Sequence, residues 1–217
     1  MESCVSEVTV VAVCRGDGPV LEAAIDRVQA ALRSKARRWR FVFVDDGTQD
    51  GTFARLLEAA RGEPRIGVLR QHKPRGFGAA LRVGLSRSRS TVVCAAEVDE
   101  AFSAERLDGL VRSIEAGSDV ATTSGPGLGQ DDSAGWACAI RADRVDLRRG
   151  GRLAAAARSA IGEIAKRARR AGLSVQGADP DRDREAGPAG LGGALRKLGI
   201  AVRSRSRRGD GAPQRAA

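Results

Sequence analysis

Three short segments place acids and arginines where they could act on a charged ligand. The first, Val44 to Thr52 (VDDGTQDGT), sets Asp45 and Asp46 directly after the apolar, β-favouring run Phe41 to Val44, and Gly47 then allows a tight turn. In open α/β sheets ligands bind beyond the carboxyl ends of the strands. Two carboxylates there suit a ribose, a base edge or a metal-bound phosphate. The second segment, Arg75 to Gly84 (RGFGAALRVG), puts Gly76 and Gly78 ahead of a helix whose first residues are small. Glycines let backbone N–H groups approach a ligand, a helix N-terminus favours anions, and Arg75 adds positive charge. The third, Glu97-Val98-Asp99, ends the run Thr91 to Ala96. Two acids two residues apart at a strand end can both reach one divalent cation, which neutralises a diphosphate leaving group. Each segment alone also has an ordinary meaning. Asp-Asp-Gly is a common turn, Asp50 or Thr52 suits a helix cap, Gly-x-Gly is a tight loop-to-helix junction, and Glu-x-Asp is frequent surface polarity.

The elements that must hold these segments alternate along the chain. Val8 to Val13 is a continuous β-branched run, the pattern of a buried parallel strand. Leu21, Ile25, Val28 and Leu32 recur at helical spacing, and Phe41 to Val44 is the next strand. Phe53, Leu56, Leu57 and Ala60 mark a second helix, followed by a strand at Ile66 to Leu69 and a third helix from Ala79 to Leu85. Thr91 to Ala96 is a strand, Leu107, Leu110, Val111 and Ile114 a fourth helix, and Asp119 to Thr122 another strand. Ser124 to Gly135 reads as a loop and Trp136 to Ile140 as a strand. Leu153 to Ala171 reads as a helix stopped by Gly172, with a return to the sheet at Leu173 to Val175. The βαβα rhythm predicts a single α/β domain over 1–202, with a mostly parallel sheet and helices on both faces. Residues 203–217 read as a basic disordered tail.

Length and charge narrow the options. The 217 residues suffice for one substantial core. Net charge is +10; residues 141–172 hold ten basic side chains against three acidic, and the tail carries five arginines against Asp210 alone. Such charge suits nucleotide phosphates, an anionic lipid surface or nucleic acid. It is also what a solvated helix face and a free tail look like. Aromatic residues interleaved with the basic ones would favour single-stranded nucleic acid, and they are missing. The cysteines Cys4, Cys14, Cys94 and Cys138 form no CxxC pair, and the single histidine, His72, has no ligand-like neighbours, which disfavours zinc and disulfides. Cys14, Cys94 and Cys138 lie in apolar runs and read as small buried hydrophobes. With neither an apolar signal-peptide core nor a run of ~18 apolar residues, a cytoplasmic setting is expected, with a peripheral position at the inner face of a membrane as a variant of it.

Taken together, the segments carry a resemblance. VDDGTQDGT closely resembles the nucleotide-sugar motif of family-2 glycosyltransferases, which have the Rossmann-like GT-A fold. RGFGAALRVG is similar to their GxGxA segment, above all in the branch of dolichyl-phosphate mannose synthase and other polyprenyl-phosphate sugar transferases. Glu97-Val98-Asp99 falls where the family carries its Asp-x-Asp metal motif. Ile161 to Val175 resembles the family's late helix and the phrase after it, and Arg184-Glu185-Ala186-Gly187 resembles its following R-xx-G pattern. The resemblance spans about Val8 to Gly187. This chain departs from the family at four places. Pro74 stands where an Asn is usual, and Glu97 replaces the first metal-motif Asp. The segment after the first strand keeps only the acid, Asp17. Only Ser124 to Gly135 occupies the region where relatives hold acceptor-binding and membrane-lying elements.

The resemblance implies transfer of a sugar from a nucleoside-diphosphate sugar, with Mg²⁺ or Mn²⁺ and with inversion of the anomeric centre. Asp17, Asp45 and Asp46 would line the nucleoside pocket, and Arg75, Gly76 and Gly78 the phosphate side. Glu97 and Asp99 would hold the metal, and Arg184 would grip a phosphate. A lipid phosphate is the expected acceptor, with the basic helix and tail on anionic lipid. Two other readings remain open at this point. A catalytically degenerate relative would bind a nucleotide or a protein partner without turnover. A basic nucleic-acid binder would show affinity falling steeply with salt; it ranks last because it leaves the ordered acidic motifs unexplained.

Overall fold

A computed structural model of the chain describes residues 7–16, 18–34, 37–99, 102–123, 136–145 and 153–177. They form β1 (Val8–Cys14), α1 (Gly18–Arg33), β2 (Trp39–Asp45), α2 (Thr52–Ala60), β3 (Ile66–Arg70), α3 (Phe77–Leu85), β4 (Val92–Glu97), α4 (Ala104–Glu115), β5 (Val120–Thr122), β6 (Ala137–Arg141), α5 (Ala157–Arg170) and β7 (Val175–Gly177). All described residues belong to one compact unit. Asp17, Arg184, the 124–135 loop and the 203–217 tail of the sequence reading lie outside the described residues, as does the boundary drawn at 202.

One seven-stranded sheet has the order β3-β2-β1-β4-β6-β5-β7. β1 pairs in parallel with β2 on one side and with β4 on the other. The chain therefore steps outward from β1 through β2 to β3, then returns to the opposite side of β1. That reversal leaves a crevice at the carboxyl ends of β1 and β4. The mostly parallel α/β sheet expected from the sequence is present, with one addition: β6 runs antiparallel to both β4 and β5. A fully buried strand is a continuous apolar run in either direction, so hydrophobic periodicity does not encode this.

Alternation along the central strands feeds two cores. Val8, Val10, Ala12 and Cys14 of β1 face α1, α2 and α4, where Leu21, Leu56, Leu107 and Leu110 are buried. Val11 and Val13 face the other layer, with Phe77, Ala80 and Leu81 of α3 and Ile161 and Ile164 of α5. Each such fully buried aliphatic side chain contributes roughly 1.5–3 kcal/mol relative to exposure. Cys14, Cys94 and Cys138 are buried and outside any disulfide, in keeping with the sequence reading of small buried hydrophobes. Burial pushes the Cys138 thiol up to about 12 and raises Cys94 further, so both remain protonated packing groups.

Local chemistry sets the helix ends. The Ser103 hydroxyl caps α4 by accepting from the Arg106 N–H at 3.2 Å. α5 stops where Gly172 adopts φ +73° and the Leu173 N–H closes back on the Ala168 carbonyl at 3.0 Å. Beyond it, Asp119 ties α5's exit to the sheet, accepting from the Ser174 N–H at 2.9 Å and from Arg144 at 3.2 Å. The bond from Ser174 holds the Asp119 carboxyl below its ordinary value of 3.8.

Two glycines separate close packing from helix propensity. A Cβ on Gly84 of α3 would overlap the Val11 γ-carbons of β1, whereas one on Gly162 of α5 would meet nothing within 4 Å. Gly84→Ala is therefore expected to destabilise the fold by about 1–3 kcal/mol through overpacking. Gly162→Ala is expected to stabilise it by about 0.5–1 kcal/mol through helix propensity. Urea midpoints of the two variants shifting in the same direction would contradict this packing.

Candidate active site

The strand ends of β2, β1 and β4 converge on a cavity of about 1020 Å³ whose walls include Arg15, Asp46, Thr48, Arg75, Glu97 and Asp99. Three parallel strands in register bring these groups together: Cys14 lies opposite Asp45, and Val13 opposite Glu97. The Val98 N–H donates to the Val13 carbonyl at 2.9 Å, so the pairing of β1 and β4 continues to the edge of the cavity.

The two adjacent aspartates do different work. Asp45 is the last residue of β2 and is fully buried. Its Oδ1 accepts from the Thr48 N–H at 2.9 Å, and its Oδ2 lies 3.2 Å from Arg70 Nε. Arg70 in turn donates to the Thr48 carbonyl at 2.8 Å and stacks 4.9 Å from the Phe53 ring centroid. Asp45 thus pins the turn behind the cavity and is not among the residues of its wall, whereas the sequence reading placed it in the lining of the nucleoside pocket. The cause is strand alternation: the residue that ends β2 points away from the side on which the next one opens.

Asp46 does reach the wall, but its carboxylate is largely committed. Oδ1 accepts from Gln71 Nε2 and from the Arg75 N–H, both at 2.8 Å. Oδ2 accepts from the Gly76 N–H at 2.8 Å. These three donors lie 25 to 30 residues away, so Asp46 is the post on which the 71–76 loop is hung. The carboxylate expected to line the ligand pocket thus also orders the loop carrying Arg75.

The glycines at the start of α3 also serve a purpose the sequence did not disclose. Gly76 adopts φ +83° and ψ 169°, a region essentially restricted to glycine. A Cβ there would sit 2.5 Å from Ala155, and one on Gly78 would sit 2.5 Å from Leu153. The close approach is made by the chain's own 153–156 segment. The Phe77 and Gly78 N–H groups donate to the Ala155 and Ala154 carbonyls at 2.7 and 3.1 Å. With Gly76's N–H on Asp46, the first donors of α3 are used internally, and the helix N-terminus is not open to an anion as the sequence suggested. This docking also explains why α5 begins at Ala157: Leu153 to Ala156, expected as its first turn, run alongside α3 instead. Arg75 and Gly76 remain at the cavity wall, whereas Gly78 is packed behind it.

Glu97 and Asp99 line the same cavity from the β4 side. Glu97 ends the strand and is ion-paired with Arg15. Arg15, Thr48 and Gln71 were not singled out from sequence. The signal for Arg15 was available, because it follows β1 as directly as Asp45 and Asp46 end β2. As to a metal, two carboxylates with hard oxygen donors at one cavity edge fit Mg²⁺ or Mn²⁺, which take one or two carboxylates and complete their shell with water and substrate phosphates. Among the described residues no group of three or more His, Cys, Asp or Glu gathers, so a cage made by protein alone is not what these residues offer.

Comparison with known proteins agrees with this arrangement. The chain is 28% identical over 97 residues to a dolichyl-phosphate beta-glucosyltransferase of Trichomonas vaginalis, covering 42% of this chain and 29% of that protein. It is 33% identical over 102 residues to an undecaprenyl-phosphate 4-deoxy-4-formamido-L-arabinose transferase of Pseudomonas paraeruginosa, covering 46% and 30%. The matched regions thus span about a third of those curated relatives. Among solved structures, a mannosyltransferase of Pyrobaculum calidifontis in complex with GDP-Man and Mn²⁺ superposes with a TM-score of 0.62 at 17% identity, covering 79% of this chain and 54% of that one. Glucosyl-3-phosphoglycerate synthase of Mycobacterium tuberculosis, in complex with Mn²⁺, UDP and phosphoglyceric acid, gives 0.60 at 16%, covering 81% and 69%. The single α/β domain is thus the GT-A fold expected from the sequence. Residues 9–153, which hold β1 (save Val8) through β6 and every wall residue named above, match glycosyl transferase family 2, and the chain belongs to that family.

Proposed function

We propose that this chain transfers a sugar from a nucleoside-diphosphate sugar to a lipid phosphate of the polyprenyl type, by direct displacement with inversion at the anomeric carbon. The observation that carries the reading is one cavity at the β1/β4 crevice that is lined by Arg75 as well as by Glu97 and Asp99. The curated relatives' names support the acceptor class, and the neighbours' bound nucleotides and Mn²⁺ support the donor class and the metal.

In this reading Arg75 faces the diphosphate, and Asp46 holds Arg75's loop in place. Asp17 would line the nucleoside side, as assigned from sequence, and Asp45 would shape that side through the turn it pins. Glu97 and Asp99 would hold Mg²⁺ or Mn²⁺. That cation, when bound, offsets charge on the departing diphosphate. Arg184 would grip a phosphate of donor or acceptor. A phosphate acceptor is already anionic at neutral pH and needs no strong general base. The exposed side of α5 presents Arg158, Lys166, Arg169 and Arg170, which suits anionic lipid next to such an acceptor. Among the described residues no helix is long and apolar enough to cross a membrane.

The test is an assay of the purified chain with radiolabelled UDP- and GDP-sugars, Mn²⁺ and detergent-solubilised undecaprenyl or dolichyl phosphate. Formation of a lipid-extractable labelled product is expected. Nucleotide binding seen as a thermal shift, with no transfer to any lipid phosphate, would instead identify a non-catalytic nucleotide-binding module.

A further inference from the structure

Arg15 occupies an unexpected place in this cavity. It emerges from β1 two residues beyond Val13, the register partner of Glu97, and its Nη2 is paired with Glu97 Oε1 across the crevice. The Arg15 side chain is 49% exposed and that of Glu97 17%. The guanidinium therefore lies at the mouth with room to swing, while the carboxylate is held at the strand end. Three N–H donors hold Asp46, and the other acids among the described wall residues are Glu97 and Asp99. Arg15 sits on the first of them.

We propose that Arg15 is a diphosphate-binding residue that covers Glu97 while the cavity holds no diphosphate and moves from the carboxylate to the phosphates when one enters. The inference rests on reading the cavity as a nucleoside-diphosphate-sugar site. With Arg15 in place, Glu97 is neutralised and Asp99 alone is a poor seat for a hard divalent cation, which needs carboxylates and phosphates together. A half-exposed ion pair is weak and readily exchanged. A diphosphate offers the same guanidinium a planar, bidentate match with more charge. Its arrival uncovers Glu97 as it brings the remaining oxygen donors, so cation and diphosphate bind as a coupled pair. The coupling is reciprocal: each improves the other's affinity by the same factor.

The experiment compares the unaltered chain with Arg15→Met, measuring Mn²⁺ binding without nucleotide by electron paramagnetic resonance, then UDP and GDP affinity at saturating Mn²⁺ by titration calorimetry. Arg15→Met is expected to bind Mn²⁺ alone about three- to tenfold more tightly, because a competing positive charge is gone. It is expected to bind the nucleoside diphosphate about tenfold more weakly, because a charge-assisted contact is lost. Arg15→Lys, which keeps the charge without the planar fork, should fall between the two in both readouts. An Arg15→Met protein whose Mn²⁺ affinity without nucleotide is unchanged or lower overturns the inference, as does unchanged diphosphate affinity. If wild-type protein couples Mn²⁺ to UDP or GDP and Arg15→Met couples them equally, the inference falls while the donor-site reading stands. If neither protein takes UDP or GDP but Arg15→Met still binds Mn²⁺ more tightly, the covering of Glu97 stands, and both the phosphate role of Arg15 and the donor-site reading fall.

Discussion

Replacement of Asp99 by asparagine is expected to reduce sugar transfer by about 100- to 1000-fold. Asp99 lies two residues beyond β4 and lines the same cavity as Arg75, where charge on the departing diphosphate must be balanced in the proposed reaction. A cation acting on such a leaving group supplies several kcal/mol of transition-state stabilisation, and about 1.4 kcal/mol corresponds to a factor of ten in rate. Losing one of two protein carboxylates therefore removes two to three factors of ten. Asparagine keeps the size of the side chain, removes its charge and replaces one carboxylate oxygen with an NH₂ donor, so the thermal midpoint is read beside the activity. The informative combination is slow transfer, an unchanged thermal midpoint and weaker Mn²⁺ binding in the presence of UDP or GDP. Transfer within threefold of wild type would show that Asp99 holds no group needed by the reaction.

Asp46→Ala is expected to act mainly on the fold. The substitution strips the acceptor from two backbone N–H groups and one side-chain amide in a site where Asp46 is only 3% exposed. A buried donor left without a partner costs about 1–3 kcal/mol. Partial relaxation and entry of water limit the total, so a loss of about 3–5 kcal/mol is expected from urea unfolding. Asp46→Asn keeps one oxygen but turns an NH₂ toward a donor, and a loss of about 2 kcal/mol is expected. Since the loop that Asp46 holds carries Arg75, Asp46→Asn should also raise the KM for the nucleotide sugar. A variant as stable as wild type would mean the 71–76 loop is held by something other than this carboxylate.

These two residues show how far local pattern reaches. VDDGTQDGT located a strand end, a turn and a helix start, and the structure has all three at Asp45, Gly47 and Thr52. The same string could not tell which aspartate meets the cavity. Asp45's partner is Arg70 and Asp46's partners lie in 71–76, and both partnerships exist only once β3 has paired beside β2. RGFGAALRVG located the start of α3, but the segment that crowds Gly76 and Gly78 comes from residues 153–155, nearly eighty positions later. Glycine in sequence announces a close approach without saying what approaches.

The amino-acid order alone determined the alternating strands and helices, the two-sided burial of the central strands, and the placing of acids at strand ends in the family's sequence. Each follows from interactions among neighbours or from the two periodicities of regular backbone. Only the tertiary structure decided that β6 enters antiparallel between β4 and β5, that Asp46 spends its carboxylate on the 71–76 loop, and that Arg15 rests on Glu97. Those outcomes depend on hydrogen bonds and charges brought together from distant positions, where the choice of partner is made by packing and not by spacing along the chain.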